Sequence, residues 1–207
     1  MQLQCTSWES IDDLISKIKL TASLMIDQNN VEIERKWLVD YTLIEFFKSM
    51  SGVRLVRHLN NLQGYLSVNP EVRYRSALNV DTRETYYYAS YKTDGELSRE
   101  EYEVPISITS ALKFAKVIRE DNSIKEYRKS KFITKDYYVF THNGVEFEIS
   151  LVDNDNKFTY MEIEFKDIES AENFEIPEFI KPFIIKEVTN DSSYKMKNYW
   201  KKTRLKK

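Results

Sequence analysis

Acidic residues recur in pairs at alternate positions of this sequence, and basic residues recur in the same way. Successive side chains of a strand point to opposite faces, so residues two apart share a face. Converging carboxylates suit Mg²⁺ or Mn²⁺, and converging Arg and Lys side chains suit phosphate oxygens. Both sets together suit a polyphosphate bridged by a divalent metal. The acidic pairs are Glu32/Glu34, Glu101/Glu103, Glu146/Glu148 and Glu162/Glu164; the basic residues are Arg73/Arg75, Lys129/Lys131, Lys36, Lys92 and Arg99.

Alternating charge on a single strand is usually a solvated face. Here the pattern recurs, and apolar residues that require a core lie between the charges. In a closed barrel covered by helices, those apolar side chains would pack outward and the charged ones would point into the lumen. Charges inside a lumen must pair or bind something. The apolar residues in question are Ile33, Phe147, Ile149, Ile163 and Phe165.

The order of predicted elements favours an α+β protein whose strands close into a barrel. Strands are predicted at 31–39, 54–68, 72–79, 84–93, 99–105, 124–134, 136–142, 145–152 and 158–166. Helices are predicted at 8–26, after Asp40, at 107–120, weakly at 169–183, and from about Ser192. Strand and helix do not alternate, so we expect a closed, eight-stranded antiparallel β-barrel, a tunnel, with helices packed outside. Residues 1–28 would form a helical extension and residues 29–207 the tunnel domain.

Composition excludes several classes of protein. The 207 residues carry 31 Lys and Arg against 33 Asp and Glu, a near balance that argues against a nucleic-acid binder. Only 4 glycines occur, and no dinucleotide or P-loop motif is present. One cysteine, Cys5, and an N-terminus without a secretory pattern predict a cytoplasmic protein. No apolar run is long enough to span a membrane.

The segment Glu32-Ile33-Glu34-Arg35-Lys36 resembles the ExExK signature of the CYTH superfamily, the triphosphate tunnel metalloenzymes. The resemblance extends over residues from about 31 to about 200 and includes, in the family's order, "QGYL" at 63–66 and "KEVTND" at 186–191. The family's usual Lys-x-Arg of the second half is read here as Lys129-x-Lys131, which lacks the bidentate fork of arginine.

The resemblance implies roles for the charged residues. Glu32, Glu34, Glu162 and Glu164 would hold Mg²⁺ or Mn²⁺. Glu101, Glu103, Glu146 and Glu148 would form a second acidic wall that places another metal or the attacking water. The phosphates would be bound by Lys36, Arg73, Arg75, Lys92, Arg99, Lys129, Lys131 and Lys186. Tyr86, Tyr87 and Tyr88 are interpreted as wall and core aromatics rather than as a base-stacking platform.

These features predict an enzyme, a metal-dependent phosphohydrolase that cleaves a linear triphosphate, with inorganic triphosphate as the favoured substrate. One alternative is a class IV adenylyl cyclase that forms cyclic AMP and pyrophosphate from ATP. Others are a nucleoside or thiamine triphosphatase and a non-catalytic binder of polyphosphate or nucleotide. The expected partner is a small molecule containing a triphosphate, with no membrane or nucleic-acid partner, and the chain is expected to be a monomer or a homodimer.

Overall fold

The computed structural model describes residues 1–25 and 30–206. Its strands are β1 Val31–Val39, β2 Arg54–Val68, β3 Glu71–Asn79, β4 Thr85–Lys92, β5 Ser98–Pro105, β6 Ile133–His142, β7 Val145–Val152, β8 Thr159–Glu164 and β9 Ile184–Glu187. The helices of the described ranges are α1 Ile11–Ser23, α2 Leu43–Ser49, α3 Ile108–Glu120, α4 Ile168–Glu172 and α5 Met196–Arg204.

Eight antiparallel strands form a closed barrel, as predicted. Neighbouring strands follow the order β5-β4-β3-β2-β6-β7-β8-β1, and pairing of β1 with β5 closes the ring. The short strand β9 adds to the other part of β1, opposite Trp37 to Val39. The helices pack outside this barrel. No helix in the described ranges is long and apolar enough to cross a membrane.

Apolar residues between the charged ones form the core outside the barrel. Ile33, Phe147, Ile149 and Ile163 are buried there, as their alternation predicted, and Phe165 packs against the same cluster. Helix α2 covers this side with Leu43 and Phe47, both almost fully buried. Burying one such side chain stabilises the fold by about 1.5–3 kcal/mol. The packing of these residues fixes which face of each strand points into the lumen.

The N-terminal segment shares a core with the barrel. The Ser10 side chain caps α1 by accepting a hydrogen bond from the backbone N–H of Asp13. Leu14 and Ile18 of α1 are fully buried in the cluster that covers β3, β4 and β5. The boundary that the sequence predicts at residues 28 and 29 lies outside the described residues, as does Lys207.

The predicted strand at 124–134 is wrong, because β6 begins only at Ile133. Residues 127–130 form a tight turn in which Arg128 and Lys129 have positive φ angles of 48° and 68°. Lys131 then donates hydrogen bonds to the carbonyls of Arg119 and Asp121, which end α3. These contacts to a helix C-terminus and the left-handed backbone prevent the segment from extending into the sheet.

The C-terminal segment is also more irregular than predicted. Helix α4 covers only the start of the stretch at 169–183, and β9 follows it without having been predicted. Helix α5 forms where the basic helix was expected. Its Arg204 is fully buried and holds both carboxylate oxygens of Asp153 at 2.7 and 2.8 Å. This ion pair anchors the C-terminal segment to the loop after β7.

Candidate active site in the barrel channel

A channel of about 670 Å³ lies inside the barrel, and all eight barrel strands contribute side chains to it. It is bordered by many more charged than apolar side chains. The charged lining residues are Glu32, Glu34, Lys36, Arg57, Glu71, Arg73, Arg75, Lys92, Glu96, Arg99, Glu101, Glu103, Lys135, Glu148, Glu162, Glu164, Asp191 and Lys195. The period of two along each strand therefore places the charges in the lumen.

Strand register sets the acidic wall of the channel. On paired strands β1 and β8, Glu34 lies opposite Glu164, and Lys36 lies opposite Glu162. On the next pair, β7 and β8, Glu148 lies opposite Glu162. Directly opposed residues in an antiparallel pair have Cβ atoms about 4.5–5.5 Å apart. Four carboxylates thus share one region of the wall.

Arg99 and Lys92 link the start of β1 to β5. The Arg99 guanidinium contacts Glu32 at 2.6 Å and Glu34 at 3.1 Å. Lys92 lies 3.0 Å from Glu32 and 2.7 Å from Glu101. Burial acts to raise the pKa of Glu32, but Lys92 and Arg99 outweigh it and lower that pKa far below its usual range. Glu32 is therefore ionised in this setting.

Arg73 and Arg75 on β3 form the cationic wall. Arg73 contacts Glu101 at 3.1 Å and Glu103 at 2.9 Å, and Arg75 pairs with Glu103 as well. Burial acts to raise the pKa of Glu103, but the charges of Arg75 and Arg73 outweigh it and lower the pKa. The Arg75 guanidinium also stacks on the Tyr88 ring at 4.9 Å. Both guanidiniums therefore lie in the channel and are held there by carboxylates of β5.

Lys36 and Glu162 form the closest ion pair between β1 and β8, at 2.6 Å. Burial acts to raise the pKa of Glu162, but Lys36 and Lys135 outweigh it and lower the pKa to about 2. The Lys36 ammonium also lies over the ring of Tyr160, 4.6 Å from its centroid. Lys36 is therefore held in the channel by a carboxylate and an aromatic face.

Two carboxyls of the acidic wall are crowded by like charge. Burial, then the charges of Glu32 and Glu162, raise the pKa of Glu34 to about 7. The pKa of Glu164 is raised too, because neighbouring protein atoms partly desolvate its carboxyl and the charges of Glu148 and Glu32 repel its ionised form. The Glu164 side chain itself reaches solvent at the channel end. Carboxyls held this way protonate near neutral pH or attract a cation.

The channel brings together twelve of the sixteen residues that the sequence predicts for the site. They are Glu32, Glu34, Lys36, Arg73, Arg75, Lys92, Arg99, Glu101, Glu103, Glu148, Glu162 and Glu164. Glu146, Lys129, Lys131 and Lys186 are not among the lining residues.

The positions of these four residues correct their expected placement in the lumen. Lys129 is exposed in the turn before β6. The Lys131 ammonium donates hydrogen bonds to the carbonyls at the C-terminal end of α3. Glu146 is exposed beside the hairpin between β6 and β7, opposite Thr141. Lys186, on β9 at the edge of the barrel, pairs with Asp191 at 2.9 Å. No contact with the phosphates is proposed for these side chains.

Lys135 is the main channel residue that the sequence analysis missed. It lies on β6, opposite Asn61 of β2, and no ion pair to it is found among the described residues. Burial lowers its pKa to about 8, despite the charge of Glu162. The alternation of Lys135 and Tyr137 in "ITKDYYVF" was a signal for this face, but the predicted strand boundary at residue 134 hid it.

The C-terminal segment closes part of one end of the channel. Residues Val188 to Met196 contribute lining side chains, among them Tyr194 and Lys195. Val188 donates its N–H to the carbonyl of Lys36 at 2.8 Å. Lys197 reaches Asp94 at 2.5 Å, in the connection between β4 and β5. The opposite end, where the lining residues Arg57, Tyr86 and Glu164 are exposed to solvent, is called the open end below.

No protein-family profile matches the sequence, and no curated protein matches it either. Among solved structures, the chain is similar to a conserved hypothetical protein from Pyrococcus furiosus, with 19% identity, 73% of this chain and 84% of that chain covered, and a TM-score of 0.43. A Pyrococcus horikoshii protein is similar at 16% identity over 85% and 92% of the two chains, with a TM-score of 0.45.

A further similarity is to the mimivirus capping enzyme triphosphatase, at 12% identity over 79% of this chain and 93% of that chain, with a TM-score of 0.38. Identities this low concern the fold alone. The chemistry of the channel therefore has to be inferred from the channel's own side chains.

Proposed function

We propose that this protein is a metal-dependent hydrolase of a linear triphosphate, with inorganic triphosphate as its simplest substrate. One observation carries the proposal: a carboxylate wall on β1, β7 and β8 faces the same channel as the guanidiniums of Arg73 and Arg75. A triphosphate needs cationic partners for its oxygens, and a divalent cation needs oxygen ligands. A single 670 Å³ channel supplies both.

The donor set of the acidic wall fits Mg²⁺ or Mn²⁺. All candidate ligands are carboxylates, which these ions prefer over nitrogen or sulfur. Glu32, Glu34, Glu162 and Glu164 would hold the ion, and the raised pKa of Glu34 supports this because a divalent cation relieves like-charge crowding. Within residues 1–25 and 30–206, no three such side chains are already grouped as a metal site. Glu32, Glu34 and Glu162 are each paired with a cation in this structure, so an ion would compete with Arg99, Lys92 and Lys36 for them.

The cationic side chains would bind and orient the phosphates. Arg73 and Arg75 offer planar forks, while Lys36, Lys92 and Lys135 offer ammonium groups from β1, β4 and β6. Among these five cations, Lys135 is the one that forms no ion pair with a carboxylate in the described structure. Charge-assisted hydrogen bonds of this kind stabilise a bound anion by about 1.5–3 kcal/mol each.

Hydrolysis would proceed by attack of water on the terminal phosphorus, in line with the bridging oxygen that leaves. Burial raises the pKa of Glu148, and Tyr137 holds its carboxylate by a hydrogen bond. Glu148 would orient the water and accept its proton as the new P–O bond forms. The bond to the bridging oxygen breaks, and the cations stabilise the charge that develops on the departing pyrophosphate. The metal, when bound, would neutralise phosphate oxygens.

Product analysis of the wild-type protein tests this function. Inorganic triphosphate and ATP are each incubated with Mg²⁺, with Mn²⁺ and with excess chelator, and the products are followed by ³¹P NMR. The proposal predicts pyrophosphate and orthophosphate from triphosphate only when metal is present. Cyclic AMP with pyrophosphate from ATP would instead identify a cyclase. Binding of triphosphate without any turnover in either metal would identify a non-catalytic binder.

A further inference from the structure

We propose that Arg99 couples the binding of the metal to the binding of the triphosphate. Its guanidinium holds Glu32 and Glu34 until a divalent cation takes these two carboxylates, and it then moves to the phosphates. This inference rests on the proposed function of the channel, and it adds how the two ligands of that channel depend on each other.

Arg99 makes the contacts that a divalent cation on β1 would need. Its Nε atom donates to Oε2 of Glu32 at 2.6 Å, and its Nη2 atom donates to Oε1 of Glu34 at 3.1 Å. The two carboxylates lie two residues apart on β1, so they share the lumen face and one guanidinium spans them. Arg99 therefore neutralises the same pair of charges that the metal would neutralise.

Arg99 depends on the proposed metal ligands more than Lys92 does. Within the described part of the chain, Arg99 forms ion pairs with Glu32 and Glu34 alone. Lys92 contacts Glu32 at 3.0 Å but also Glu101 at 2.7 Å, and Glu101 is not one of the proposed ligands. Lys92 thus keeps a carboxylate after the metal binds, whereas Arg99 keeps none.

The other paired cations of the channel also keep a partner. Lys36 would lose Glu162 to the metal, but its ammonium still lies over the Tyr160 ring. Arg73 and Arg75 are held by carboxylates of β5, outside the proposed ligand set. The guanidinium of Arg99 is therefore the group that metal binding would release.

A cation can reach the pair that Arg99 holds. The proposed ligand Glu164 is exposed to solvent at the open end of the channel and lies opposite Glu34 on the paired strands. A hydrated cation that enters at this end meets Glu164 beside the carboxylates bound by Arg99. The exchange of partners can therefore begin at an accessible carboxylate.

A released guanidinium stays close to the cationic wall. Arg99, Glu101 and Glu103 alternate along β5 and line the channel, and each step of two residues covers about 7 Å. Glu101 and Glu103 hold Arg73, so Arg99 lies one step along β5 from that contact. Its Nη1 atom makes no hydrogen bond within residues 1–25 and 30–206. The planar fork of arginine suits phosphate oxygens.

Charge balance links the two binding events. A divalent cation and a guanidinium together bring three positive charges to two carboxylates, and the like charges repel each other. A triphosphate supplies the missing negative charge. Because linkage is reciprocal, the phosphate that draws Arg99 away from Glu32 and Glu34 also raises the affinity of these carboxylates for the metal.

Titration of Mn²⁺ into the phosphate-free protein, followed by calorimetry, tests the exchange. Arg99→Met removes the guanidinium, and Arg54→Met, at an exposed arginine that begins β2, is a control with the same change in net charge. Arg99→Met should bind Mn²⁺ roughly 5- to 150-fold more tightly than the wild type, because no guanidinium competes for Glu32 and Glu34. Arg54→Met should bind Mn²⁺ as the wild type does.

A second titration distinguishes the exchange from an ordinary phosphate contact. The bis-methylene analogue of triphosphate, which is not hydrolysed, is titrated in saturating Mn²⁺ and in excess chelator. Arg99→Met should weaken binding of the analogue in Mn²⁺ by a much larger factor than in chelator. The reason is that the wild-type guanidinium reaches the phosphates only after the metal has taken its carboxylates.

Several results would overturn the exchange. They are an unchanged or lower Mn²⁺ affinity in Arg99→Met, the absence of Mn²⁺ binding in both proteins, and an equal loss of analogue affinity with and without Mn²⁺. Should Arg99→Met lose its cooperative thermal unfolding, Arg99→Lys decides. Lysine keeps the charge but lacks the fork that contacts both carboxylates, so the Mn²⁺ affinity should rise by a smaller factor, and no rise contradicts the proposal.

Failure of the hydrolase function is recognised separately from failure of the exchange. In that case the wild-type protein releases no phosphate from triphosphate, while the Mn²⁺ titrations still report on Arg99.

Discussion

Glu34 and Glu164 lie directly opposite each other on β1 and β8, with both side chains lining the channel. Like charges in directly opposed positions of a sheet destabilise the pair. Burial and the neighbouring carboxylates raise the pKa of Glu34 from 4.5 to about 7. The channel therefore carries a local cost in stability where its proposed chemistry requires negative charge.

This cost predicts that Glu34→Gln stabilises the metal-free protein above pH 7. A carboxyl whose pKa is raised in the folded state holds its proton there while the unfolded chain has lost it. The free energy of unfolding of the wild type therefore falls as pH rises from about 4.5 to about 7. The variant should gain roughly 1–3 kcal/mol at pH 8 and little at pH 4.5, as measured by urea denaturation in chelator.

The matched control for Glu34→Gln is Glu172→Gln, an exposed position on α4. It should leave the free energy of unfolding unchanged at both pH values. The explanation by carboxylate crowding is contradicted when Glu34→Gln is destabilising at pH 8.

The lowered pKa of Lys135 predicts that kcat/KM for triphosphate falls on the alkaline side of its pH profile. Burial lowers its pKa from 10.5 to about 8, so the free protein loses this positive charge as pH rises through 8. The kcat/KM for triphosphate should fall about tenfold per pH unit above that value, since kcat/KM reports groups of the free enzyme. Lys135→Arg should remove the limb, because arginine remains protonated. An unchanged limb in Lys135→Arg assigns the titration to another group.

Lys36 and Lys186 provide a matched pair of lysines inside and outside the channel. Lys36→Ala removes a charged contact from the proposed phosphate site, and it should raise the KM for triphosphate roughly tenfold or more. Lys186 does not line the channel, has 53% of its side chain exposed and pairs with Asp191 at the channel end, so Lys186→Ala should change that KM much less than Lys36→Ala does. Steady-state kinetics of the two variants checks the prediction, and equal effects would contradict the assignment of the channel.

The sequence predicts the barrel wall well because a local rule controls it. Alternation with a period of two decides which side chains share a face, and hydrophobic partners such as Ile33 and Ile163 decide which face is outside. The alternation agrees with the placement of the twelve predicted residues that line the channel.

The residues that were misplaced depend on distant contacts. Lys129 and Lys131 alternate as well as Lys135 and Tyr137 do, so local pattern does not distinguish the two pairs. The carbonyls of Arg119 and Asp121 bind Lys131 and so keep it out of the sheet, whereas Lys135 lies in β6. In the same way β9 forms because β1 extends beyond β5 and offers Trp37 to Val39 as a pairing edge.

The Arg204–Asp153 ion pair predicts how the C-terminal segment is held. Arg204 is fully buried, and the Tyr199 hydroxyl also donates to Asp153, at 2.8 Å. Arg204→Ala would leave a buried carboxylate without its cation and should destabilise the fold by about 3–5 kcal/mol. The double variant Arg204→Met with Asp153→Asn should lose less free energy of unfolding than Arg204→Ala does. Urea denaturation of both variants measures this difference. A larger loss in the double variant would contradict this reading of the pair.

The central claim is that the carboxylate wall of β1 and β8 is required for metal-dependent cleavage of a triphosphate. Phosphate release from inorganic triphosphate and from ATP, measured for the wild type and for Glu34→Gln with Mg²⁺ or Mn²⁺, tests it most directly. We expect turnover by the wild type in metal, none in excess chelator, and none by Glu34→Gln, although that variant remains folded. Full turnover by Glu34→Gln, or by the wild type in chelator, would contradict the claim.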